Sequence, residues 1–181
     1  MELLRIIGIY PETISDGYGL RYAIYFAGCA HRCPGCHNPE SHDPRRGEPL
    51  TVERAETICA AIAANPILDG VTLSGGDPLL QPEAMAAFLR LVKERTGQNV
   101  WCYTGYLFER DILGDMALKW QEPLKMLSHI DVLVDGEFVE EKKDLKLRFR
   151  GSSNQRIIDV KESLRKGETV LAKEFYEKEK K

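Results

Sequence analysis

Cys29, Cys33 and Cys36 lie within GCAHRCPGCHNPE, residues 28–40, at Cys-x3-Cys-x2-Cys spacing. Three thiolates this close together can ligate three irons of a cubane iron–sulfur cluster, whereas an electron-transfer cluster takes four cysteines. The fourth iron is then left open, and an open coordination position lets a substrate bind the metal directly. A structural zinc site is the alternative, a Cys3His tetrahedron completed by His31 or His37. Both histidines sit inside or beside the cysteine run, however, and zinc modules usually bring their second pair of ligands from a separate turn. Five cysteines make an odd count and no secretory leader opens the chain, so a disulfide framework is not expected.

A second stretch with chemical potential is LSGGDP, residues 73–78. Gly75 and Gly76 allow close approach of the backbone to a ligand, and the Asp77 carboxylate can accept from an ammonium group. Taken alone, such a stretch reads as a turn. DGYGLR, residues 16–21, taken alone reads as a glycine turn leading into a strand.

Strand-like and helix-like patterns alternate along the chain, which predicts a parallel α/β fold with crossover helices. Residues 21–28 (RYAIYFAG) read as the first strand, ending just before the cysteines. Thr51 is a helix N-cap candidate, followed by Val52, Ala55, Ile58, Cys59 and Ile62 at helical spacing, so Cys59 belongs to a core face. A strand over 70–74 and a helix opened by Pro82, with a Met85, Phe88, Leu89 and Val92 stripe, follow. Further strands are expected over 99–104 and 130–134, with Cys102 a buried apolar residue of the former. Two extended pieces are expected within 145–160, around Gly151, and a charged helix over about 168–181 with pairs such as Glu174 and Lys178.

The chain of 181 residues, 43% hydrophobic and without a Ser/Gly-rich or Pro-rich linker, fits one domain over residues 1–181. A formal net charge of −3 argues against a nucleic-acid-binding surface. No apolar run approaches the length needed to cross a bilayer, so no membrane association and a cytoplasmic location are expected.

On these motifs the chain resembles the radical S-adenosylmethionine (SAM) enzymes. The cysteine loop 29–36 resembles their signature, with Gly35 where an aromatic residue is usual, and LSGGDP resembles their Gly-Gly-Glu motif, with Asp77 in place of Glu. DGYGLR and CHNPE (36–40) are similar to stretches of the enzymes that activate glycyl-radical enzymes. Within that group, VWCYTGY (100–106), DVLVDGEF (131–138) and RFRGSSNQRIIDV (148–160) resemble the activating proteins of the anaerobic (class III) ribonucleotide reductase.

The resemblance implies an incomplete β/α barrel with a mostly parallel sheet, since a complete barrel needs roughly 250 residues. It implies one [4Fe–4S] cluster on Cys29, Cys33 and Cys36, with SAM on the open iron. Gly75, Gly76 and Asp77 would lie beneath the methionine end of SAM, and Gly35, Cys36 and His37 near its adenosine or methionine portion. The implied partners are the large subunit of the anaerobic reductase, as protein substrate, and an external flavodoxin- or ferredoxin-like one-electron donor. Tyr103, Thr104 and Asn154 are candidates for steering the target glycine.

Overall fold

A computed structural model describes residues 3–119 and 121–176. In chain order the elements are β1 (Arg5–Thr13), β2 (Arg21–Phe26), β3 (Glu48–Pro49), α1 (Val52–Ala63), β4 (Gly70–Gly75), α2 (Pro82–Thr96) and β5 (Asn99–Tyr103). A π-helical segment, Phe108–Met116, then runs into α3 (Ala117–Lys119), followed by α4 (Glu122–Leu127), β6 (Val132–Asp135), β7 (Arg156–Asp159) and α5 (Val160–Lys166). The strands form one open sheet in the order β3-β1-β2-β4-β5-β6-β7. Four of the seven, β2, β4, β5 and β6, are parallel neighbours in the middle, while β3, β1 and β7 extend the sheet antiparallel. The α/β class and the predominance of parallel strands expected from the sequence are present, and the sheet does not close.

The helices begin and end where the sequence has the chemistry for it. Thr51 caps α1 by accepting from the Arg54 backbone N–H at 3.2 Å. Pro82 opens α2, and Gly97 ends it in the left-handed conformation at φ +65. The expected stripes, Ala55, Ile58, Cys59 and Ile62 on α1 and Met85, Phe88, Leu89 and Val92 on α2, are buried in one core. Strand alternation divides the sheet between two cores. Val100 and Cys102 face the helical core, whereas Trp101 faces a smaller one with Val132, Val134 and Ile157, covered by Phe149, Phe175 and Tyr176.

Three expectations need correction. The strand expected first is the second, because β1 precedes it. β1 carries Gly8 and Pro11, has register shifts against β2, and exposes residues 10–12, so its pattern is that of an irregular outer strand. Within 145–160 only β7 is a strand, and residues 144–150 are mainly turns. Over 168–176 the expected charged helix is reduced to one 3-10 turn, Lys173–Phe175, and its remainder, with Lys178, lies outside the described residues. Among the described residues no helix is long and apolar enough to cross a membrane.

Candidate functional site

In open α/β sheets, ligands bind beyond the carboxyl ends of the parallel strands. Here that edge carries the sequence-predicted residues. Phe26 pairs with Gly75 and Tyr103 with Val134, so β2, β4, β5 and β6 deliver the cysteine loop, Gly75 to Asp77, Thr104 and Gly136 to one end of the sheet. The first two are stitched directly. The Gly76 N–H donates to the Phe26 carbonyl and the Asp77 N–H to the Gly28 carbonyl, both at 2.7 Å. Gly75 has φ +97, and a Cβ on Gly76 would stand 2.2 Å from the Gly28 carbonyl oxygen. The two glycines are thus required for backbone to approach backbone where the cysteine loop leaves β2.

The loop itself turns through left-handed Arg32 (φ 50) and Gly35 (φ 71), with the Cys36 N–H donating to the Cys33 carbonyl at 3.2 Å. Cys29, Cys33 and Cys36 are half-buried free thiols. The Asn38 N–H points at Cys36 Sγ at 3.4 Å. Burial pushes the Cys29 and Cys33 thiols up, opposed by backbone N–H groups from His31 and Arg32 at Cys29 and from Phe138 at Cys33. Three sulfurs on one loop, two or more met by backbone N–H donors, fit the donor set of an iron–sulfur cluster, whose sulfurs are tuned by such bonds. Among the described residues no three Cys, His, Asp or Glu side chains converge on a single-ion site.

Neither histidine is turned to a zinc tetrahedron. His37 stacks on Phe138, ring centroids 6.2 Å apart. His31 places Nε2 at 3.1 Å from Asp77 Oδ2 and Nδ1 at 3.4 Å from Glu137 Oε1, and meets Tyr106 edge-on at 4.4 Å. The hydrogen bond to Asp77 raises the His31 pKa, against burial. Asp77, only 4% exposed, also accepts from the Leu79 N–H at 3.0 Å, the Gly105 N–H at 2.9 Å and the Thr104 hydroxyl at 2.9 Å. The carboxylate expected beneath a SAM ammonium group is therefore occupied in joining the ends of β4 and β5 to the cysteine loop. Thr104, a candidate for steering substrate, is likewise taken up by Asp77.

A cavity of about 550 Å³ adjoins the loop, within the range of small-molecule sites, roughly 300–1,000 Å³. Its lining includes Cys36, His37, Asn38 and Gly75, and with them Asp16, Tyr25 and Tyr103. Tyr25 donates its hydroxyl to Asp16, whose other oxygen accepts from Thr13 at 2.6 Å. DGYGLR thus divides. Asp16 reaches the cavity, while Arg21 is 1% exposed, donates to the Val71 carbonyl at 2.7 Å and Thr72 Oγ1 at 3.1 Å, and is lowered to about 10 by burial. A larger cavity of about 700 Å³, between the start of α2 and the π-helical segment, touches none of the cysteines.

The polar run GSSNQR gains its purpose here. Asn154 Nδ2 donates to the Glu137 carbonyl at 2.8 Å and Gln155 Nε2 to the Gly136 carbonyl at 3.0 Å, while Gln155 Oε1 accepts from the Gly151 N–H at 2.9 Å. Arg156 clamps the buried Asp135 carboxylate with its Nε at 3.0 Å and reaches Glu109 at 2.7 Å. Together they fix the turn after β6, whose Glu137 and Phe138 face the cysteine loop. A Cβ on Gly35 would meet Glu140 at 3.0 Å and the Phe138 ring at 3.3 Å. Sequence reasoning did not single out Asp16, Tyr25, His31 as a tether, Glu137 or Phe138; the signals available were the DGYGLR and DVLVDGEF resemblances and the position of His31 between two cysteines.

Residues 15–158 match the family model described as a 4Fe-4S single cluster domain. Curated relatives named anaerobic ribonucleoside-triphosphate reductase-activating protein include one from Salmonella typhi, 37% identical over 84% of this chain and 96% of the relative. Another is from Escherichia coli K12, 36% identical over 81% of this chain and 92% of the relative; a third, from Enterobacteria phage T4, is 34% identical over 82% and 90%. The chain belongs to the family of anaerobic ribonucleoside-triphosphate reductase-activating proteins. The match to the cluster domain covers the cysteine loop, the Gly-Gly-Asp turn and the Asn-Gln-Arg clamp.

Proposed function

We propose that the chain is a radical SAM activating enzyme whose protein substrate is the anaerobic ribonucleotide reductase. Cys29, Cys33 and Cys36 hold a [4Fe–4S] cluster, which supplies one electron and an open iron position for SAM. Overall, SAM and one electron yield methionine and a 5′-deoxyadenosyl radical, which takes hydrogen from a glycine Cα of the reductase and leaves 5′-deoxyadenosine and a glycyl radical. The electron comes from an external flavodoxin- or ferredoxin-like donor, and the reducing compartment that free thiolates require fits a cytoplasmic site.

The chain's own residues bind and orient. The Gly75 and Gly76 backbone would hold the methionine end of SAM, and Gly35 to His37 would border its adenosine or methionine portion. Asp77 acts one step behind, holding His31 against the loop. Tyr103 and Phe138 form cavity walls, and Asn154 holds the turn that carries Phe138. The open sheet is an incomplete barrel of the radical SAM type, whose uncovered side admits a loop of the reductase while that partner helps to exclude water.

The observation that carries this reading is that Cys36, at the end of the loop from β2, and Gly75, at the end of the neighbouring β4, line one cavity. The test is anaerobic reconstitution with iron and sulfide, reduction, and addition of SAM and the reductase. A glycyl-radical EPR doublet on the reductase, lost in Cys33→Ala, supports it. Deoxyadenosine without a doublet moves the substrate to another protein, and neither signal from a cluster-loaded sample overturns the reading.

A further inference from the structure

Residues 142–150 (KKDLKLRFR) hold five basic residues and one acidic residue in a chain of formal net charge −3. The segment is a run of turns tied at its base. The Ser153 N–H donates to the Lys142 carbonyl at 2.9 Å, the Asp144 N–H to the Gly151 carbonyl at 3.3 Å, and Lys143 pairs with Ser152 as an antiparallel bridge. Phe149 stands at φ 55, a region that non-glycine residues enter only when their surroundings enforce it. Its ring packs edge-on to Trp101 at 5.3 Å, and Arg150 lies over the Tyr176 ring at 4.3 Å.

The base is anchored and the tip is not. Leu145 is 86% exposed. Lys142, Lys143 and Lys146 are exposed and form no ion pair among the described residues. Among the described residues none of the neighbouring acids pairs with these lysines: the Asp144 carboxylate accepts from the Lys146 backbone N–H at 2.8 Å, and Glu140 is turned toward Gly35. Lys143, Asp144, Leu145 and Leu147 line the cavity that also holds Cys36 and Gly75. A polypeptide that places a residue in that cavity comes within reach of this loop.

An exposed apolar side chain beside lysines that no described acid pairs with, held out by a strained and packed base, is suited to meet an acidic partner surface. We propose that loop 142–150 is the docking element for the protein substrate. Leu145 is its apolar anchor, and Lys142, Lys143 and Lys146 recognise an acidic segment of the reductase polypeptide beside the target glycine. The proposal rests on the function given above, and it adds the surface and the charge of what it recognises.

The test compares the cluster-loaded protein with Lys142→Glu/Lys146→Glu and, separately, Leu145→Ser, measuring affinity for the purified reductase as NaCl is raised, together with iron content and deoxyadenosine formed without the reductase. Lys142 and Lys146 do not line the cavity, so iron content and uncoupled SAM cleavage are expected to stay unchanged in the charge variant. The charge variant should lose about tenfold in affinity at low salt and show a flatter salt dependence, because exposed charges act mainly on encounter and are screened. Leu145→Ser should weaken binding with the salt dependence intact. Unchanged affinity and salt slope in both variants, with the wild type still radicalising the reductase, would overturn the docking surface alone. Absence of the glycyl radical with the wild type would instead strike the underlying function.

Discussion

His31 Nε2 lies 3.1 Å from Asp77 Oδ2, a contact that binds the cysteine loop to the Gly-Gly-Asp turn at the end of the neighbouring strand. Asp77 gathers donors from Leu79, Thr104, Gly105 and His31, so one buried carboxylate sets the relative position of β4, β5 and the cluster loop. Removing it leaves several buried donors unpaired, each costing about 1–3 kcal/mol.

Asp77→Ala is accordingly expected to destabilise the cluster-free protein by roughly 2–4 kcal/mol, a fall in Tm of roughly 5–10 °C for a chain of this size. His31→Ala should lower Tm by much less, because its partner keeps three other donors, yet speed loss of the brown cluster colour in air. Thermal unfolding and bleaching rates check the pair; equal Tm losses would contradict the division of roles.

Gly76→Ala and Gly97→Ala should differ sharply. The new Cβ at 76 would sit 2.2 Å from the Gly28 carbonyl oxygen, backbone that cannot yield without moving the cysteine loop, whereas Gly97 at φ 65 has nothing within 4 Å. Gly97→Ala should cost about 1 kcal/mol for its left-handed conformation. Gly76→Ala should cost more than about 3 kcal/mol and prevent cluster assembly. Denaturant midpoints and iron content read both.

Cys102 is fully buried in β5 within the helical core, and burial pushes its thiol well up. Iron per chain after reconstitution should be unchanged in Cys102→Ala and Cys59→Ala, and should fall to background in Cys33→Ala. Loss of iron in Cys102→Ala would make it a fourth ligand.

This much was legible because it depends on periodicity and on glycine. The α1 and α2 stripes and the strand ends at the cysteines and at LSGGDP are set by local apolar spacing, and Gly75 and Gly76 mark a close approach wherever it falls. The strand-like alternation LKLRFR misleads because Phe149 takes the left-handed region to pack on Trp101, a tertiary contact that no local pattern contains. The roles of Asp77 and Asn154 were hidden for the same reason: their partners lie 27–28 and 17 residues away, or in the cysteine loop.

Arg156 holds the Glu109 carboxyl down to about 2. A carboxyl whose pKa is lowered on folding contributes stability above its unfolded value, near 4.5 for Glu, and that contribution is lost as pH falls through about 2. Glu109 is 47% exposed, so solvent screens the pair. Glu109→Gln should therefore show a slightly lower urea midpoint than the wild type at about pH 6, and the difference should shrink toward about pH 3. A gap that widens in acid would contradict the ion pair.

The most direct test of hydrogen removal from the reductase is isotopic. Reductase grown on α-deuterated glycine is incubated with the reconstituted, reduced protein and SAM, and the 5′-deoxyadenosine is examined by mass spectrometry. Deuterium in the 5′-methyl group, lost when the target glycine is replaced by alanine, is the predicted result. Deoxyadenosine formed at the same rate without deuterium, from a reductase that remains diamagnetic, would contradict it.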